Sequence, residues 1–137
     1  MGEYVSMEYR TLNHSKFLLL FHTVFVIKYR KKLLVKLGDE VKSIIMDIAA
    51  ESDFTIETME VDVDHIHMLI NSVPKLSPLS IVKRLKSMST HRIWINNSAY
   101  LSKHFWKEHT FWSDGYFVAS IGNASQETVR QYIESQG

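Results

Sequence analysis

The chain has 137 residues, 45% of them hydrophobic and 23% charged, with only five Gly and two Pro, so one folded domain over residues 1–137 is expected and a disordered chain is excluded. It contains no cysteine, which excludes a disulfide framework, a thiol nucleophile and any Cys-ligated zinc or iron–sulfur centre, and nothing calls for an oxidising compartment. The formal net charge of +1 does not by itself announce a nucleic-acid binder, although the basic residues gather in "KYRKK" (28–32), "KRLK" (83–86) and "KHFWK" (103–107).

From the N-terminus, residues 15–29 are dense in Phe, Leu, Val and Ile without helical spacing, which predicts a long buried strand. Its apolar run, Phe17 to Ile27, is interrupted by His22 and falls short of the ~20 residues a membrane helix needs. Glu3, Tyr4 and Glu8 stand where a basic n-region would be, so no signal peptide is expected and the cytoplasm is the expected location. Val41, Ile44, Ile45 and Ile48 recur at helical spacing, predicting an amphipathic helix from about Lys32 to Ser52 whose first turns Gly38 weakens.

Residues 54–63 alternate apolar with polar and lead through a tight acidic turn, near Asp62 and Asp64, into the strand 65–73; the pair is expected to be a hairpin. Ser77 before Pro78 marks a helix start, and Leu79, Val82, Leu85 and Met88 carry that helix to about Asn96. After an irregular aromatic and basic stretch, residues 111–122 read as strand, turn and strand with Gly115 at the turn. Ser125 is the expected cap of a last helix, about 125–136, with Glu127 at the positive end of its dipole. The order is βαββαβ plus a C-terminal helix: an α+β, ferredoxin-like or RRM-like antiparallel sheet with one added helix. That sheet serves both enzymes and RNA-binding modules, so fold alone does not choose between chemistry and binding.

The chemistry-bearing segment is "VDVDHIHMLI" (61–70). Strand side chains alternate, so His65 and His67 share a face with Cα atoms ~7 Å apart while Ile66 faces the other way, and two imidazoles can grip one ion. Structural histidines at such a spacing are commoner than metal ligands, so a third donor and a reactive partner are needed. Tyr132 and Gln136, four apart on the last helix, share a face, while Val129 and Ile133 form an adjoining apolar edge that can dock. The plain alternative is a packed Tyr ring and a Gln at a frayed end.

With these residues in view, the chain resembles the small single-tyrosine HUH transposases of insertion sequences. "HIH" (65–67) fits the histidine–hydrophobe–histidine motif, and "HTVFVIKYRKKLL", "DHIHMLI", "FWSDGYFVASIG" and "VRQYIESQ" follow in family order over almost the whole chain. Val63-Asp64 departs from the pattern, in which a proline precedes the aspartate. The resemblance implies Tyr132 as nucleophile, with His65, His67 and Gln136 as ligands of a divalent ion, Mg²⁺ or Mn²⁺. It implies cleavage and rejoining of single-stranded DNA beside hairpins through a 5′-phosphotyrosine, without ATP, by a homodimer whose active site is completed in trans by the tyrosine helix. Lys28, Tyr29, Arg30, Lys83, Arg84 and Lys86 are the candidate DNA contacts, and Phe105, Trp106 or Trp112 candidate stacking partners. Trp94, at helical spacing with core positions, is expected to be core.

Two other readings stand beside this one. A non-catalytic hairpin DNA/RNA-binding RRM-like module would use the histidines structurally, though "HIHMLI" lacks the aromatic pattern of such modules. A relaxase or replication initiator shares the chemistry but usually needs a longer chain.

Overall fold

The structure, a computed structural model, describes residues 10–12, 15–17, 19–120 and 126–136. A two-stranded ribbon pairs β1 (Arg10–Leu12) with β2 (Ser15–Phe17). The main sheet has four antiparallel strands: β3 (Leu19–Val26), β4 (Thr55–Val61), β5 (His65–Ser72) and β6 (Phe117–Ser120), in the order β4-β5-β3-β6. Helix α1 (Leu34–Ala50) joins β3 to β4, α2 (Pro78–Ser102) joins β5 to β6, and α3 (Gln126–Ser135) follows. This is the ferredoxin-like order expected from the sequence, with the extra helix at the end.

The two faces of the sheet have different tasks. Phe21, Phe25, Ile66, Met68 and Ile70 point to one side and pack with Leu37, Val41, Ile45 and Ile48 of α1 and Ile81, Val82, Leu85, Ile93 and Trp94 of α2. The opposite face carries Val24 and Val26, which pack with Ile133, Val129 and Tyr132 of α3 and with Phe117. In the ladder Val24 is opposite both His67 and Phe117, and Val26 is opposite His65, so both histidines lie on the α3 side. Period-two alternation thus gives the aliphatic residues of β5 to the core and its imidazoles to the outer face.

Local chemistry explains most element boundaries. The β4–β5 hairpin closes through Asp62 N donating to His65 O at 2.9 Å, and Val63 N donates to the Asp62 carboxylate at 2.7 Å. The pairing shifts between Ile56 and Thr58, and beyond this bulge Glu60 comes opposite His67. Ser77 accepts from Ser80 N at 3.1 Å, the expected cap, with Pro78 in the first turn. Gly38 has a packing reason: a Cβ there would meet Val61 Cγ1 at 3.2 Å, so the glycine lets α1 lie close against β4.

Three expectations are corrected. The strand expected over 15–29 is divided: 15–17 pair in the small ribbon, β3 ends at Val26, and Lys28–Arg30 form a short 3-10 turn because Tyr29 and Arg30 take left-handed backbone. Helix α2 runs on to Ser102 rather than ending near Asn96, with a kink at Asn97, whose amide donates to the carbonyl of Ile93 and to the Glu40 carboxylate. Residues 111–116 form no strand; a single bridge joins Ile27 to Trp112, and only 117–120 extend the sheet. Phe111 and Trp112 both pack in the cluster between one sheet face and helices α1 and α2, which alternation along a strand would not allow. The Ser125 cap, the end of the expected 111–122 segment and the N-terminal segment read against a signal peptide lie outside the described residues. No helix among the described residues is long and apolar enough to cross a membrane.

Candidate active site

The histidine pair is held from the segment that follows β3. Tyr29 and Arg30 both adopt left-handed backbone, with φ of 61° and 52°, an arrangement that costs free energy for side chains larger than glycine. The turn directs Arg30 inward, where its Nε donates to Asp64 Oδ2 at 3.2 Å. The other oxygen, Asp64 Oδ1, lies 2.9 Å from His65 Nδ1. A carboxylate can only accept, so it is Nδ1–H that faces Asp64 and Nε2 that points away from it. Asp64 is itself buried: desolvation pushes its pKa up, but the His65 and Arg30 hydrogen bonds and charges outweigh this and hold it below the usual carboxylate range.

His67 is supported differently. Its Nε2 is 3.0 Å from Nδ1 of the buried His22, and its Nδ1 is 3.7 Å from Glu60 Oε1. His22 is a residue the sequence offered only as a break in an apolar run. Two-residue alternation from Val24 and Val26 would have placed it on the same face.

His65 and His67 line a cavity of about 590 Å³ together with Arg30, Glu60, Asp64 and the α3 residues Val129 and Ile133. Tyr132 and Gln136 are not among its lining residues. They lie to one side, over the loop before β6: a Cβ added to Gly115 would be 3.4 Å from the Tyr132 hydroxyl and 3.6 Å from Gln136 Oε1. Helical spacing does bring these two together, as expected, but β3 lies between β6 and the histidine strand, a gap of about 10 Å at ordinary strand spacing. The Tyr132 hydroxyl is buried and has no hydrogen-bond partner among the described residues. Burial pushes its pKa up to about 12; the nearby Ser113 hydroxyl opposes this slightly without making a well-formed hydrogen bond.

The donor set suits a divalent ion in part. Two imidazoles share a strand face, and one is oriented by a carboxylate in the manner of metal-binding histidines. Among the described residues no three His, Asp or Glu side chains are grouped to hold an ion.

The candidate DNA contacts divide into groups. Lys28 faces Glu108 at 3.7 Å and Asp114 at 3.5 Å, and Arg30 is engaged by Asp64. Lys83 and Arg84 are exposed, with Arg84 donating to Ser52 Oγ at 2.7 Å. Lys86 turns inward, its ammonium donating to the carbonyls of Ser113 and Gly115, so in this conformation it does not offer its charge to a phosphate. Tyr29 and Trp106 are 64% and 75% exposed, near Lys28 and Lys107, whereas Phe105 and Trp112 are buried. Trp94 is core, as expected, and donates to Thr110 O at 2.8 Å.

The family model "Transposase IS200 like" matches residues 15–136. The chain belongs to this transposase family. Among curated relatives, the ISDra2 transposase TnpA of Deinococcus radiodurans is 33% identical over 119 residues, 85% of this chain and 82% of that protein. The transposase for insertion sequence element IS200 of Salmonella typhimurium is 28% identical over 130 residues, 93% of this chain and 82% of the relative. Among solved structures, a Deinococcus radiodurans protein described as a candidate transposase superimposes with a TM-score of 0.81 at 28% identity, covering 93% of this chain and 97% of its own. A REP-associated tyrosine transposase bound to a REP hairpin shares the fold with a TM-score of 0.54 at 18% identity, over 93% of this chain and 68% of that one. Family membership makes this chain a transposase, an enzyme of DNA strand transfer.

Proposed function

We propose that this IS200-like transposase cuts and rejoins single-stranded DNA beside hairpins at the ends of its element, with Tyr132 as nucleophile. The observation that carries the reading is the joint placement of the Tyr132 hydroxyl and the Gln136 amide oxygen at one glycine, Gly115, on a helix docked against the sheet face that bears His65 and His67.

In the proposed step the Tyr132 oxygen attacks the scissile phosphorus. The bond from phosphorus to the tyrosine oxygen forms as the bond to the 3′-oxygen breaks, the phenolic proton is given up, and the 3′-oxygen takes up a proton as it leaves. The products are a 5′-phosphotyrosine and a free 3′-OH. Because the link keeps the phosphodiester energy, a second 3′-OH can attack it and release Tyr132 without ATP. His65, His67 and Gln136 would hold Mg²⁺ or Mn²⁺, hard enough for phosphate oxygens and compatible with imidazole. Such an ion, when bound, polarises a phosphate oxygen and offsets the charge gained in the transition state.

Two copies exchanging α3, so that the tyrosine of one serves the histidines of the other, would complete the site. In support, neither Tyr132 nor Gln136 lines the histidine cavity of its own chain. Arg30 orients Asp64 and through it His65, while exposed Tyr29 and Trp106 beside Lys28 and Lys107 suit stacking of unpaired bases. Lys28, Lys83 and Arg84 suit phosphates, and the hairpin-bound structural neighbour agrees with a folded DNA end as ligand.

The deciding experiment is a single-turnover assay on an end-labelled single-stranded oligonucleotide spanning the element end, with Mg²⁺ or Mn²⁺, resolved on a denaturing gel. A covalent protein–DNA band that needs the ion and vanishes in Tyr132→Phe is expected. Hairpin binding by both proteins with no adduct from either would leave the non-catalytic binding module as the better reading.

A further inference from the structure

Lys86 lies on α2 facing inward, whereas its neighbours Lys83 and Arg84 face solvent. Its Nζ lies 5.5 Å and 6.0 Å from the ring centroids of Phe25 and Tyr116. The ammonium donates to Ser113 O at 2.8 Å and also to Gly115 O. These carbonyls belong to the irregular segment between the Ile27–Trp112 bridge and β6, where sheet pairing does not satisfy every backbone group. An apolar residue at 86 would leave both carbonyls without this donor.

The segment is pinned at two further points, one on α2 and one on β3. Trp112 Nε1 donates to Ser89 Oγ at 2.9 Å, and Ser113 N donates to Val26 O at 2.7 Å. Its other side faces α3. There a Cβ built on Gly115 would come within van der Waals reach of both the Tyr132 hydroxyl and the Gln136 amide oxygen, so the glycine leaves room for the two groups side by side. Among the described residues the hydroxyl has no well-formed hydrogen bond to fix it, so its location follows the shape of the surface it rests on.

We propose that Lys86 is a positioning residue: by holding the carbonyls of Ser113 and Gly115 it fixes the seat on which the Tyr132 hydroxyl and the Gln136 amide oxygen rest side by side. The functional meaning rests on Tyr132 and Gln136 being the working groups, but the placement itself does not. Lys86 touches neither group and acts through backbone. Loss of its ammonium frees the 113–115 segment and lets the hydroxyl leave its buried place.

Acetylation of tyrosine hydroxyls by N-acetylimidazole, mapped by mass spectrometry on the full chain without DNA or metal, tests the placement. In the wild type, exposed Tyr29 reacts quickly and Tyr132 slowly. In Lys86→Met the Tyr132 rate rises severalfold while Tyr100, on the far part of α2, keeps its wild-type rate. An unchanged Tyr132 rate overturns the proposal, and so does a parallel rise at Tyr100, because that reports general loosening. In the oligonucleotide assay, Lys86→Met is expected to slow adduct formation by about 10²-fold, the scale of an ångström-sized misplacement, with hairpin affinity unchanged. If Tyr132→Phe abolishes the adduct while Lys86→Met reacts at the wild-type rate, the positioning role fails and the nucleophile stands. If Tyr132→Phe still forms adduct, the nucleophile assignment fails and the acetylation result alone decides the placement by Lys86.

Discussion

Asp64 and His65, adjacent in sequence, are joined side chain to side chain at 2.9 Å, and the second oxygen of the same carboxylate takes the Arg30 guanidinium at 3.2 Å. One buried carboxylate thereby orients one imidazole and ties it to a turn whose residues have left-handed backbone. Partners of this kind usually change metal affinity by about 10–100-fold. Asp64→Ala is therefore expected to weaken Mn²⁺ binding on that scale, read by the electron paramagnetic resonance signal of free Mn²⁺ during titration. Circular dichroism confirms that the variant is folded. Wild-type affinity in a folded Asp64→Ala protein would show that His65 needs no orienting partner.

Tyr132→Phe should separate stability from activity. The hydroxyl is buried without a hydrogen bond among the described residues, so its removal takes away a desolvation cost and leaves the ring packed beside Phe117, 5.7 Å away between centroids. A gain of about 1 kcal/mol in urea unfolding is expected, the lower end of the cost of an unsatisfied buried polar group, together with complete loss of the covalent adduct. A clear loss of stability would mean that the hydroxyl is bonded in the folded protein.

The buried ammonium of Lys86 gives a pH dependence with a definite sign. Burial pushes its pKa down to about 8, partly opposed by Asp114, whereas in the unfolded chain it lies near the ordinary ~10.4. Between those values the unfolded chain binds more protons, so the contribution of Lys86 makes stability rise with pH from about 8 to about 10.4; below 8 both states hold the proton and the gain is absent. Other groups titrate in the same range, so the quantity to measure is the wild-type minus Lys86→Met difference in unfolding free energy. That difference should shift in favour of the wild type across this window. A flat difference would mean that the ammonium is well solvated.

Much of this architecture was legible in the chain, and the parts that were not share a cause. Helical spacing in α1, alternation in the hairpin and the Ser77-Pro78 start are local signals, and each appears in the structure where the pattern placed it. The i, i+4 spacing of Tyr132 and Gln136 likewise brought the two to one glycine. Asn97 reads as a helix end because its amide competes with the backbone, yet Glu40 from α1 takes that amide and the helix continues through the kink. "FWSDGY" has strand-like residues, but its aromatic pair is drawn into the core by α2, with Trp112 bonded to Ser89. Lys86 reads as a surface charge because the carbonyls it satisfies lie 27 and 29 residues further on. His22 acquires a role only when β3 pairs with β5. In each case a partner distant in sequence overrides the local preference.

Tyr29 offers a second separation of stability from function. Its φ of 61° is unfavourable for tyrosine and natural for glycine, and its ring is 64% exposed, so the side chain contributes little burial. Relief of the backbone strain in Tyr29→Gly, about 1 kcal/mol, is offset by the greater freedom glycine gives the unfolded chain, so stability should stay within about 1 kcal/mol of wild type. If the ring stacks an unpaired base, the same change removes about 1–3 kcal/mol of binding, a loss of roughly 10- to 100-fold in affinity for a hairpin with a single-stranded flank. Affinity for the bare hairpin should change little. Fluorescence anisotropy with the two labelled ligands measures both. Equal affinity of variant and wild type for the flanked hairpin would assign the strained turn to Arg30 and Asp64 alone, with Tyr29 as its exposed bystander.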